Sequence, residues 1–229
     1  MIPGFTLPPG SWDAVQGFLD PDWEVEAFEI PDGLDFPATA EALGHRGGAG
    51  VWVGYSLGAR LALRIALDRP ETVERLVLVS GTAGIEGTVA RRDRRAADNE
   101  LAVSIEANGV DIFLEQWLNQ RLFETLPAEA NLLSERKRIA TVHGLTHQLR
   151  GLGQGVQDSL WDRLNELKMP VLILVGQWDL SYNRVATRLA EKIGSRATLV
   201  VVEGAGHALP LEQPEVVAHE ITEWLAATE

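Results

Sequence analysis

Hydrophobic positions along the chain fall into two kinds of pattern. Short, nearly unbroken apolar runs recur at Gly50-Val51-Trp52-Val53, Arg75-Leu76-Val77-Leu78-Val79, Val171-Leu172-Ile173-Leu174-Val175 and Thr198-Leu199-Val200-Val201-Val202. Each has the length and β-branched content of a strand buried on both faces. Trp23 to Ile30 instead alternates apolar and polar residues, which predicts a further strand. Between these runs lie Leu57 to Leu67, rich in Ala and Leu, and the amphipathic stretches Val185 to Ile193 and Pro214 to Leu225. These read as helices. Continuous apolar strands separated by helices predict an α/β fold, with a mostly parallel sheet covered on both faces.

The middle of the chain breaks this rhythm. From about Gly87 to Leu152 no strand pattern occurs, and helix formers and charges dominate. An apolar period runs through Ile112-Phe113, Gln116-Trp117 and Leu122-Phe123. The expected organisation is one compact unit. Residues 1–86 and 153–229 form the core, and residues 87–152 form a helical cap inserted between two sheet strands.

Composition narrows the function. With 229 residues, 45% of them hydrophobic, the chain suits one core domain carrying an insertion. It has no cysteine, so disulfides and thiolate metal sites are excluded. The start lacks the basic flank and apolar run of a signal peptide, and no segment reaches the roughly eighteen apolar residues of a membrane span. A cytoplasmic location, no membrane contact and a small-molecule substrate are expected. The net charge of -13 argues against nucleic acid, which needs a basic face. It also means that an anionic substrate needs a local cationic pocket to offset the global field.

Gly54-Tyr55-Ser56-Leu57-Gly58 fits G-x-S-x-G and lies between a predicted strand and a predicted helix, the context that gives the motif its meaning. A serine on so tight a turn projects its hydroxyl above the sheet, and the backbone there tolerates only small neighbours two residues away. Leu57 N–H sits at the helix N-terminus, where unpaired donors favour developing negative charge. Two further motifs follow strands. Gly176-Gln177-Trp178-Asp179 puts Asp179 at the C-terminal end of one, and Gly204-Ala205-Gly206-His207 puts His207 at the end of the next. Catalysts gather at this edge of an open α/β sheet. In the order serine, acid, histidine, Ser56, Asp179 and His207 form a candidate triad: His207 takes the serine proton, and Asp179 orients the imidazole. His45, His143, His147 and His219 sit in loop or helical contexts and are expected to be solvated or satisfied in the core. His143 and His147 are four apart but lack an H-E-x-x-H arrangement, so no metal site is expected. No motif for a nucleotide or flavin occurs either, and no cofactor is expected.

These motifs resemble the α/β-hydrolase superfamily over nearly the whole chain. A narrower resemblance is carried by Gly54 to Leu63, Ser80-Gly81-Thr82-Ala83-Gly84, the arginine-rich stretch Arg91 to Ala102 and Phe113-Leu114-Glu115-Gln116-Trp117. Leu149-Arg150-Gly151-Leu152-Gly153-Gln154-Gly155 and the stretch from Gly204 to Glu215 carry it further. All are similar to the 2-succinyl-6-hydroxy-2,4-cyclohexadiene-1-carboxylate synthases of menaquinone biosynthesis. That resemblance implies a lyase in which the triad abstracts a proton, pyruvate leaves, and the serine acts as base without an acyl-enzyme. It implies Arg60, Arg91, Arg94 and Arg150 as carboxylate ligands, with Tyr55, Trp117 and Gln120 lining the pocket. Arginine suits the task, since its planar fork binds carboxylates bidentately. Arg92 and Arg95 are expected to face solvent or pair with nearby acids.

The usual His-Gly-Phe near the start of such chains is here Pro3-Gly4-Phe5. Phe5 N–H is expected to complete an oxyanion hole with Leu57 N–H, because both donors are backbone groups. The strands that usually precede this motif are missing, so a reduced sheet is expected. Two other functions share the same triad: a carboxylic ester hydrolase working through an acyl-enzyme, and a non-catalytic binding scaffold. Converging arginines would favour the lyase.

Overall fold

A computed structural model describes residues 1–228. In chain order its helices are α1 (Asp13–Gln16), α2 (Phe36–Gly47), α3 (Leu57–Asp68), α4 (Thr88–Asn108), α5 (Val110–Leu118), α6 (Leu133–Ile139), α7 (Val142–Leu152), α8 (Leu180–Ile193), α9 (Leu209–Glu212) and α10 (Pro214–Ala227). The strands are β1 (Gly50–Tyr55), β2 (Val73–Val79), β3 (Val171–Gly176) and β4 (Ala197–Val202). They form one parallel sheet whose spatial order, β1-β2-β3-β4, is also the order along the chain.

The pleat sorts the apolar runs between the two faces. In β2, Leu76 and Leu78 point to one side, and Val77 and Val79 to the other; in β3, Val171 and Ile173 oppose Leu172 and Leu174. The first face packs on Phe36 and Leu43 of α2, on Leu61 and Ile65 of α3, and on Leu189 of α8. The second packs on Trp12, on Val15 of α1, and on Val217, Ile221 and Trp224 of α10. Both faces of β2 and β3 are therefore dry, which is why these two read as continuous apolar runs rather than alternating ones. β4 is a correction: at the sheet edge it is only partly covered, with Val201 exposed, although its run is just as apolar.

The expected strand at Trp23 to Ile30 does not form. Its alternation does sort burial, with Phe28 and Ile30 inside. A ladder, however, needs a partner along its length. Here the Met1 ammonium donates to Glu26 O at 2.6 Å, and Phe28 N donates to Met1 O at 2.8 Å. Ile2 in turn makes only an isolated parallel bridge to Gly54 of β1. The segment is extended without becoming a strand.

Between β2 and β3 the chain is helical, as its composition predicts. α4 runs for 21 residues and stops at Gly109, whose φ of 83° breaks the helix. Ala102 and Ile105 of α4, Phe113 and Leu114 of α5, and Leu145 and Leu149 of α7 form a small core of their own. Among the described residues, no helix is long and apolar enough to cross a membrane.

Candidate active site

β1 ends at Tyr55 and α3 begins at Leu57, leaving Ser56 alone on the turn with φ 51° and ψ −105°. A non-glycine residue there is strained. The flanking glycines make the turn possible. A Cβ on Gly54 would run into the Gly58 carbonyl, and one on Gly58 would run into the Ile2 carbonyl. The strain holds the serine hydroxyl above the C-terminal edge of the sheet.

β3 delivers Asp179 as the N-cap of α8, where Oδ1 accepts from Tyr182 N at 3.2 Å. Its other oxygen, Oδ2, lies 2.6 Å from His207 Nδ1. His207 follows β4, and its Nε2 stands 3.2 Å from Ser56 Oγ. Asp179 and His207 are 7% and 2% exposed, so their contact is shielded from water. The histidine backbone is pinned on three sides. Glu212 of α9 accepts from Gly206 N at 2.7 Å and from Ala208 N at 2.9 Å, and Ser80 Oγ donates to His207 O at 3.0 Å. An imidazole so held can take a proton from the serine and carry positive charge against the carboxylate.

A cavity of about 250 Å³ opens over Ser56. Phe5, Trp117 and Phe123 supply apolar wall, with Phe5 edge-on to Trp117 at 5.1 Å. Tyr55 and Gln120 also line it. The amides of Phe5 and Leu57, both residues of the cavity wall, donate to no backbone acceptor outside the helices and strands among the described residues.

The sequence matches the alpha/beta hydrolase family over residues 1–220. The chain belongs to that family. A Bacillus subtilis protein provisionally named a 2-succinyl-6-hydroxy-2,4-cyclohexadiene-1-carboxylate synthase is 34% identical over 76% of this chain and 65% of its own length. The chain thus spans just under two thirds of that relative. A Salmonella typhimurium protein of the same name is 28% identical over 76% of this chain and 67% of its own length. Among solved structures, MenH from S. aureus superposes with a TM-score of 0.87 at 24% identity, covering 99% of this chain and 92% of that one. A thermophilic esterase from Thermogutta terrifontis, with malate bound, gives 0.75 at 24% identity over 99% and 88%. Identities this low speak to the shared fold.

Within this alpha/beta hydrolase the expected arginines divide. Arg60 and Arg94 line the cavity. Arg60 is 6% exposed. Its guanidinium donates to Gln157 Oε1 at 2.7 Å and to Leu152 O at 2.8 Å, so it also braces the helical segment against α3. Burial draws it down to about 10. Arg94 is held by Asp98 at 2.8 Å, one helical turn on. Arg91 and Arg150 are corrections, because neither lines the cavity. Arg91 lies one turn nearer the N-terminus of α4, where Asp158 takes it at 3.2 Å. Arg150 follows the cavity-lining Leu149 by one residue, which turns it out to Asn99 at 3.0 Å and Glu106 at 2.5 Å on α4. As expected, Arg92 faces solvent against Asp93 and Arg95 is exposed.

The residue missed from sequence is Arg136 of α6, which lines the cavity at 1% exposure. Its guanidinium donates to Thr6 Oγ1 and, at 2.8 Å, to Asn131 O, and no carboxylate pairs with it among the described residues. Burial draws it down to about 10, opposed by the neighbouring Tyr55. Its signal was weak: four residues past Leu132 and four before Ala140, it shares their packed helical face. Among the described residues, no group of three or more His, Asp or Glu side chains is placed to hold a metal ion.

Proposed function

We propose that Ser56, His207 and Asp179 are a catalytic triad acting on a small polycarboxylate, and that the reaction is the pyruvate elimination implied by the resemblance to the menaquinone-pathway synthases, the name its relatives carry. His207 draws the serine proton while Asp179 holds the imidazole and stabilises its charged form. The Ser56 oxygen then acts as base toward a substrate C–H. The electron pair released moves through the ring system and breaks the C–O bond to the leaving group, which departs as the enolate of pyruvate and takes up a proton, and no acyl-enzyme forms. The backbone amides of Phe5 and Leu57 offer hydrogen bonds to the oxygen on which negative charge builds.

The observation that carries this reading is the gathering of Arg60, Arg94 and Arg136 around one cavity in a chain of net charge -13. A buried guanidinium without a carboxylate partner is costly, and an anionic substrate supplies the missing charge. Arg94 is already paired with Asp98, which also lines the cavity, so Arg60 and Arg136 are the two left without a carboxylate among the described residues, and a neutral ester needs neither.

A paired assay tests it. One arm follows pyruvate release from the substrate of the menaquinone-pathway synthase, and the other follows hydrolysis of a short-chain p-nitrophenyl ester. Fast pyruvate release with feeble esterase activity is expected. Ester hydrolysis without pyruvate would overturn the lyase and leave a serine hydrolase on the same triad. Neither activity would overturn the catalytic reading.

A further inference from the structure

Tyr182 has two faces toward the site. Its ring lies 4.5 Å from the His207 ring, tilted by 54°, and its backbone amide donates to Asp179 Oδ1. Its side chain lines the same cavity as Arg60 and Arg94. The hydroxyl accepts a hydrogen bond from Gln154 Nε2 at 3.1 Å, just past the end of α7. The hydroxyl's own proton meets no acceptor among the described residues. Burial raises the phenol above its ordinary range, with Arg60, Gln154 and Arg94 pulling the other way, so the proton stays on at neutral pH. A phenol already supplied with one donor, and lining one cavity with two guanidiniums, is set to donate to an anion.

We propose that Tyr182 is a specificity-determining residue of this site, its hydroxyl donating to a carboxylate oxygen of a substrate held beside Arg94. The inference rests on the polycarboxylate reading of the cavity and adds to it a neutral donor that no charge pattern announces. The Gln154 bond fixes the direction of the hydroxyl, so the donor is preorganised and little freedom is lost on binding. The ring and the hydroxyl have separable duties. The ring supports the imidazole, and the hydroxyl selects the ligand.

Tyr182→Phe keeps the ring and removes only the hydroxyl. The probe is succinate, titrated calorimetrically into the full chain at neutral pH, with Arg94→Ala and the outward-facing Arg150→Ala in parallel. The expected result is succinate binding by the parent, about tenfold weaker binding by Tyr182→Phe, weaker binding by Arg94→Ala, and parent-like binding by Arg150→Ala. In the pyruvate-release assay the Tyr182→Phe loss should fall on KM rather than on kcat. Parent-like succinate affinity in Tyr182→Phe, with Arg94→Ala still impaired, would overturn the role of Tyr182 and leave the carboxylate pocket standing. Absence of binding by the parent itself would overturn the pocket and this inference together.

Discussion

Arg136 offers the sharpest separation of stability from function. Consider Arg136→Met, which keeps much of the volume and removes the charge. Burial draws the guanidinium down from its ordinary value to about 10, which sets the cost of holding the charge there at roughly 3 kcal/mol. Removing the charge relieves that cost. It also strips two acceptors, Thr6 Oγ1 and Asn131 O, of their donor, at about 1–3 kcal/mol each if no water replaces it. The terms oppose each other, so the variant should unfold in urea within about 3 kcal/mol of the parent. Binding has no such cancellation. Losing a charge-assisted bond to a carboxylate should lower kcat/KM for the polycarboxylate by about ten- to a hundredfold. The assays are urea unfolding followed by tryptophan fluorescence, and steady-state pyruvate release. A large drop in stability with kcat/KM intact would refute the reasoning. Arg136 would then be a strut fastening α6 to the Thr6 loop, not a ligand.

Four other outcomes follow from the geometry. Ser56→Ala should lower turnover by at least about a thousandfold while leaving the melting temperature near the parent's, since it removes a single hydrogen bond to His207 and leaves the backbone turn as it is; retained activity in a verified sample would sink the triad. Arg91→Ala and Arg150→Ala should leave KM for the polycarboxylate near the parent value, and a rise matching that of Arg94→Ala would return them to the pocket. Glu212→Ala frees the two amides that flank His207, so kcat should fall by about tenfold or more and KM less, with partial recovery in Glu212→Gln; equal kcat in all three would contradict the clamp. Burial alone would raise the Asp68 carboxyl, but hydrogen bonds from Arg163 and Arg64 outweigh it and hold it below its ordinary 3.8. A folded value below the unfolded one gives stability that is present above the unfolded value and lost as pH falls through the folded one. Asp68→Asn should therefore flatten the acid side of a melting-temperature profile, and an unchanged slope would contradict the assignment.

The sheet was largely legible because its runs are apolar on both faces and the helices between them keep a clear period. β1 to β4 each lie within two residues of their expected bounds. Ser56, Asp179 and His207 were legible because each ends a strand, and parallel strands deliver their C-terminal ends to one edge. Trp23 to Ile30 misled because alternation reports which side faces the core and says nothing about whether a partner strand lies alongside. The arginines were harder. A run of charges in a helix looks the same whether it meets solvent or a cavity, and only the packing of α4 on α7 decides that Arg94 faces inward while Arg91 and Arg150 meet acids. Arg136 hid in Glu135-Arg136-Lys137-Arg138, where three neighbours conceal the one buried cation.

The coincidence of strand order with chain order bears on how the molecule is made. A chain leaving the ribosome exposes β1, then β2, and each later strand adds to an edge already formed, so no completed pairing must be opened to admit a newcomer. Ser56 therefore sits on a nascent sheet long before its partners exist. Asp179 and His207 arrive late, and the histidine is 151 residues downstream of the serine. The contact between Ser56 Oγ and His207 Nε2 cannot form before that point, and a chain cut short ahead of residue 207 carries the strained serine without the imidazole.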